Sequence, residues 1–159
     1  MDKIWIPANV FQEMQELADL SCPNETGGML LGYIAQPDIV VTKIIGPGPA
    51  AKHARFAFEP DSNYQQLELE QHFYATGGRE TYLGDWHTHP YGSSQLSRRD
   101  KRTLALIAET PSSNIINPVM VVLAGKPTEW MLNAVRFVST SRRLFIKEYQ
   151  VETLSPLIY

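Results

Sequence analysis

The segment Gly84-Asp85-Trp86-His87-Thr88-His89-Pro90 leaves this chain few ways to fold. Thr81 to His89 reads as a strand, and successive side chains of a strand point to opposite faces. Trp86 and Thr88 therefore share the face that suits a core, while Asp85, His87 and His89 share the other. The two imidazoles aim at one point. Pro90 stops the strand and turns the chain into the loop Tyr91 to Leu96.

Beyond that loop, Ser97 to Glu109 reads as a helix ended by Pro111. Ser97 and Asp100 both lie near its first turn. A loop of this length can fold the turn back over the strand end, bringing Asp100 to His87 and His89. Two neutral imidazoles and one carboxylate are a catalytic zinc set, with the fourth position left for water. Two plainer readings compete. An isolated histidine pair on an edge strand is an ordinary polar surface, and Ser-x-x-Asp before an apolar run resembles a capping box. Capping and chemistry are compatible for Ser97, whose place at the helix start exposes it.

Water activated by zinc needs a general base to carry its proton to the leaving amine. Glu25, in Asn24-Glu25-Thr26-Gly27-Gly28, is the best candidate, because the glycines allow close approach to other elements. Glu59 and Glu80 are weaker rivals. Ser97 is placed to donate a hydrogen bond to an oxyanion. Asp85 is a candidate acceptor to orient an imidazole.

The rest of the chain sets the frame. Val10, Phe11, Met14, Leu17 and Ala18 recur at helical spacing between Pro7 and Leu20. Met29–Ile34 and Ile39–Ile45 read as hairpin strands turned at Pro37-Asp38, and Gly46–Ala54 as a loop. Arg55–Phe58 reads as a short strand and Asp61–Ala75 as a helix capped by Asp61 or Ser62. Val119–Ala124 and Trp130–Val138 pair across Gly125-Lys126-Pro127. Leu144–Val151 fits a strand or a helix equally well. Strands and helices mix without regular alternation, so the fold class is α+β, a mixed sheet flanked by helices, in a single domain spanning 1–159.

The motif His-x-His-Pro, six residues, Ser, two residues, Asp, with an upstream Glu, resembles that of the JAMM (JAB/MPN) zinc metalloproteases. The resemblance extends over nearly the whole chain. It implies a curved mixed sheet of JAB/MPN, cytidine-deaminase-like architecture and one zinc per chain held by His87, His89 and Asp100. It further implies Glu25 as base and Ser97 as the residue that steadies the oxyanion. The implied reaction is hydrolysis of peptide or isopeptide bonds at the C-terminus of ubiquitin or ubiquitin-like proteins. Because the long insertions of eukaryotic members are missing, the chain looks more like the small stand-alone bacterial members, with an antiphage system as one implied setting.

Two other function classes stay in view: release of a small amine from a carrier protein's C-terminus, and a non-catalytic zinc-containing module that binds ubiquitin-like tails. A net charge of -3 favours neither nucleic acid nor an anionic membrane as partner. No apolar run reaches the length of a signal peptide core or a membrane span, so a cytoplasmic location is expected. Oligomeric state is not readable. The lone cysteine, Cys22, reads as a small buried hydrophobe rather than a nucleophile paired with His53 or His72. Arg98-Arg99-Asp100-Lys101-Arg102 reads as a solvated basic run, with steering of an acidic partner as the functional alternative.

Overall fold

A computed structural model describes residues 1–159. Its elements run β1 Lys3–Ile6, α1 Ala8–Ser21, β2 Gly27–Ala35, β3 Asp38–Ile45, β4 Lys52–Ala54, β5 Ala57–Glu59 and α2 Ser62–Ala75. They continue β6 Thr81–Pro90, α3 Arg98–Glu109, a 3₁₀ turn Pro111–Ser113, β7 Val119–Lys126, β8 Glu129–Arg143 and β9 Ile146–Ile158. Seven strands form one mixed sheet in the order β1-β3-β2-β6-β7-β8-β9, and β4–β5 form a separate hairpin.

The sheet curves until it closes. β1 pairs parallel to β3 on one side and parallel to β9 on the other, joining the two ends of the sheet. The mixed, helix-flanked sheet expected from the sequence is therefore a barrel, and β1, too short to announce itself, supplies the closure. The tail left open between strand and helix is a strand: β9 pairs antiparallel with β8 over most of its length. The stretch expected to be loop up to Ala54 contributes β4, and the Arg55-Phe56 pair expected to open a strand is instead the turn between β4 and β5.

Both faces of the sheet are covered. On one, Val10, Met14 and Ala18 of α1 meet Ile4, Leu30, Trp86, Val121 and Leu123 in the main core. The helical spacing of α1 places these residues on one stripe. Asp19 ties the far end of α1 to the β7–β8 turn by accepting from the Trp130 indole N–H at 2.6 Å. On the other face, Leu104 and Ala105 of α3 close a smaller core against Met120, Val122, Val135 and Phe137. The alternation of β7 thus feeds two cores at once.

β6 is central, pairing antiparallel with β2 and parallel with β7. Parallel neighbours need a crossover, and α3 provides it. That crossover carries the first turn of α3 back towards the end of β6. No helix is long and apolar enough to cross a membrane.

Candidate metal centre and active site

Along β6, Trp86 and Thr88 are fully buried in the direction of the main core, while Asp85, His87 and His89 are only partly covered. The alternation read from the sequence holds. His87 and His89 bring their Nε2 atoms to 2.9 Å from each other. Asp100, in the first turn of α3, places Oδ1 3.3 Å from His87 Nε2 and Oδ2 3.5 Å from His89 Nε2. Tetrahedral zinc ligands at about 2.0–2.1 Å from the metal stand roughly 3.3 Å apart, so the spacing of this group fits a zinc ion. The donor chemistry fits as well, and His87, His89 and Asp100 form a group that could hold a metal ion.

The neighbours of these side chains fix how they face. The Nδ1 of His89 lies 2.7 Å from the Ser93 carbonyl, which selects the Nδ1–H tautomer and leaves the Nε2 lone pair towards the group. Asp100 is held by a full capping box. Ser97 accepts from the Asp100 N–H, and Asp100 Oδ2 accepts from both the Ser97 N–H and its hydroxyl, each at 2.7 Å. Oδ2 therefore serves the helix start, while both carboxylate oxygens stay near the imidazoles, Oδ1 towards His87 and Oδ2 towards His89. Burial alone would raise the Asp100 carboxyl, but the hydrogen bonds from His87, His89 and Ser97 hold it far below the usual range.

Glu25 lines the same cleft, a cavity of about 470 Å3 that also takes in Phe56, Gln65, Ser97 and Arg99. Burial raises its carboxyl above the ordinary value, and the charges of His87 and His89 only partly offset this. A carboxylate so placed is a better proton acceptor than a solvated one. Its position is set by neighbours on both sides. Thr26 donates its N–H to Thr88 Oγ1 at 3.0 Å, and Thr88 N–H donates to the Thr26 carbonyl at 2.9 Å. Gly27 lies against β6 so closely that a Cβ there would meet the Trp86 carbonyl oxygen at 2.3 Å. Gly28 instead lies against β3, where a Cβ would strike the Ile45 carbonyl, so close approach on both sides rather than any unusual backbone angle requires the two glycines.

The β4–β5 hairpin completes the support. Its Ala54 carbonyl accepts the Glu25 N–H at 2.9 Å, and His53 Nδ1 lies 2.9 Å from the Glu25 carbonyl. Arg55 donates to the Pro23 carbonyl at 2.8 Å and stacks over the rings of Phe56 and Tyr91. The sequence offers His53 no partner; the loop that carries it folds over a turn some thirty positions earlier, and no local pattern records that contact.

The remaining candidates fall elsewhere. Glu59 is exposed and pairs with Lys52 at 3.6 Å, and Glu80 binds Thr42 and His72 away from the cleft. Asp85 lies beside the histidines but accepts from the Tyr82 hydroxyl at 2.8 Å and makes no hydrogen bond to an imidazole. Burial pushes its carboxyl up to about 6 despite the Tyr82 hydrogen bond and the charge of His87. Cys22 packs, half-buried, on the main core.

Comparison with known proteins follows the same line. A family model of prokaryotic homologs of the JAB domain matches residues 7–138. The chain belongs to the prokaryotic JAB family. A Sinorhizobium fredii protein named "Probable metalloprotease y4qB" is 37% identical over 157 residues, covering 98% of this chain and 94% of that one. An Escherichia coli protein named "CD-NTase/cGAS isopeptidase" is 28% identical over 108 residues, covering 67% of this chain and 65% of its own. The solution structure of DSY2949 from Desulfitobacterium hafniense shares the fold, with a TM-score of 0.69 at 18% identity over 98% of this chain and 92% of that one. The family match takes in β6, the first turn of α3 and the Glu25 turn of this JAB domain.

Two outcomes follow from the site of this JAB domain. Thr88→Val keeps the shape but leaves the buried Thr26 N–H without its acceptor, and costs about 1–3 kcal/mol in denaturant unfolding; an unchanged midpoint would show that the Thr26–Thr88 link does not hold the site together. The second concerns pH. The hydrogen bond with Asp100, first, and that with Ser93 raise His89 above 6.5 despite burial. In protein stripped of metal, protonated His89 therefore adds stability below its unfolded value, and this is lost as pH rises through the folded value. A metal must displace that proton, so apparent zinc affinity falls on acidification, beginning above pH 6.5. Competition with a chromophoric chelator across this range tests it, and a flat profile contradicts it.

Proposed function

We propose that this chain is a zinc-dependent peptidase or isopeptidase that cuts after the C-terminal tail of a ubiquitin-like protein, with one zinc per chain. The observation that carries the reading is the convergence of His87, His89 and Asp100 at metal-ligand spacing, in one cleft with Glu25. Membership of the JAB family and relatives named metalloprotease and isopeptidase support hydrolysis of a peptide-type bond. The isopeptidase names favour a protein conjugate as substrate over a small amide.

In this reading His87, His89 and Asp100 would hold the zinc. Zinc held there supplies Lewis-acid polarisation of the scissile carbonyl and acidification of water. Glu25 accepts the proton of the attacking water on its carboxylate. It then delivers that proton to the leaving amine nitrogen as the C–N bond breaks, which regenerates the carboxylate. His53 and Ala54 hold the Glu25 backbone during both transfers. Ser97 serves the oxyanion by redirecting the hydroxyl that otherwise donates to Asp100; its N–H keeps the cap in place.

Glu25→Gln separates this reading from a binding module that keeps zinc for shape. The variant is expected to retain wild-type zinc content and fold while turnover of a ubiquitin-like protein carrying a C-terminal isopeptide falls by roughly 10²–10⁴. Full activity in Glu25→Gln removes Glu25 from the mechanism. A wild-type protein that binds such tails and cuts none of a panel of linear and branched substrates leaves the module reading in its place.

A further inference from the structure

The basic run at the start of α3 is solvated, as expected, but its side chains are shared between two hollows. Arg99 and Asp100 turn into the cleft with Thr103, whereas Arg98 and Arg102 turn into a second hollow of about 470 Å3 on the other side of the helix. The opposite wall of that hollow is the β8–β9 hairpin end, which contributes Arg142, Phe145 and Lys147. Four cations face one space and no carboxylate lines it. In a chain of net charge -3 this is a local reversal of sign.

These four exposed cations have no counter-charge within the chain. Arg142 and Lys147 are directly cross-strand partners, and like charges so placed repel. None of Arg98, Arg102, Arg142 and Lys147 is within ion-pair distance of an acidic group; the ion pairs of the molecule lie elsewhere. The hairpin tip adds apolar surface, with Leu144 88% and Phe145 101% exposed. Exposed aromatic and arginine side chains together are the composition of a protein-binding hot spot.

We propose that this hollow docks an acidic, partly apolar face on the folded body of the protein whose tail enters the cleft. The inference rests on the tail-cleaving reading above and adds where the body of the substrate sits. Charge complementarity selects an acidic face, and the shared helix sets the distance. Cleft and hollow lie on two sides of the first turn of α3, separated by one helix diameter of about 10 Å. A body held in the hollow therefore keeps its own tail within reach of the cleft. The contribution is to encounter and orientation, not to bond cleavage.

The test uses an acidic ubiquitin-fold carrier protein bearing a C-terminal coumarin amide, and its excised tail peptide bearing the same amide. Lys147→Glu replaces a repelling cross-strand pair with an attracting one, so the hairpin keeps or gains stability. Arg142→Glu/Lys147→Glu and Phe145→Ser extend the series. The expected result is a loss of roughly tenfold in kcat/KM on the folded substrate, carried by KM and steeply salt-dependent, with tail-peptide cleavage unchanged. Equal loss on both substrates, or no loss on either, overturns the proposal. If wild type cleaves neither substrate, the catalytic reading fails, and fluorescence anisotropy of the same carrier decides docking alone: binding lost in Lys147→Glu supports the hollow, and binding unchanged overturns it. Co-sedimentation with phosphatidylglycerol vesicles but no binding of the carrier also overturns it, assigning the hairpin to a lipid surface.

Discussion

The pairing of β6 with β2 is the constraint on which the site depends. Thr88, buried in the strand, takes the Thr26 N–H and returns its own to the Thr26 carbonyl. One residue either side of Thr88 stands a histidine, and one residue before Thr26 stands Glu25. The hydrogen bonds of a single buried threonine thus set the spacing between the proposed base and the proposed ligands. Gly27 permits the approach, since any side chain there would strike the β6 backbone. The proposed catalytic set is an outcome of strand register, and a one-residue slip would turn both imidazoles into the core.

The third proposed ligand arrives by a different route. Asp100 belongs to the helix that crosses from β6 to β7, and a capping box orients its carboxylate before any metal is considered. In the sequence, capping and ligation compete for Ser-x-x-Asp. In the structure the capped carboxylate still faces both imidazoles, so capping does not preclude ligation. Pre-orientation of this kind lowers the ordering cost of ligation, because the rotamer of Asp100 is already held by Ser97.

Much of this is legible in the residues. The two-residue period through Trp86, His87, Thr88 and His89 announces which side chains are core and which are not. Pro90, Ser97 and Asp100 at their offsets make the return of α3 readable. What escapes is non-local. β1 has four residues and acquires its meaning only by pairing with β3 and β9, so closure of the barrel leaves no mark on any short window. The tail reads ambiguously because β9 shows one clear core residue, Leu154, among partly exposed neighbours. His53 gains a role through a hairpin folding over a distant turn. The split of the basic run between two hollows likewise depends on where the β8–β9 hairpin ends, which spacing alone does not show.

The most direct test of the central claim is zinc per chain by elemental mass spectrometry, on wild type, His87→Ala and Asp100→Asn. The side-chain amide introduced by Asp100→Asn would still accept from the helix start, so loss of metal there reports ligation rather than unfolding. About one zinc in wild type, absent from both folded variants, is the expected result. Wild-type protein purified without chelators that carries no zinc, and takes up none on reconstitution, would contradict it and return His87 and His89 to ordinary polar residues at the end of a strand.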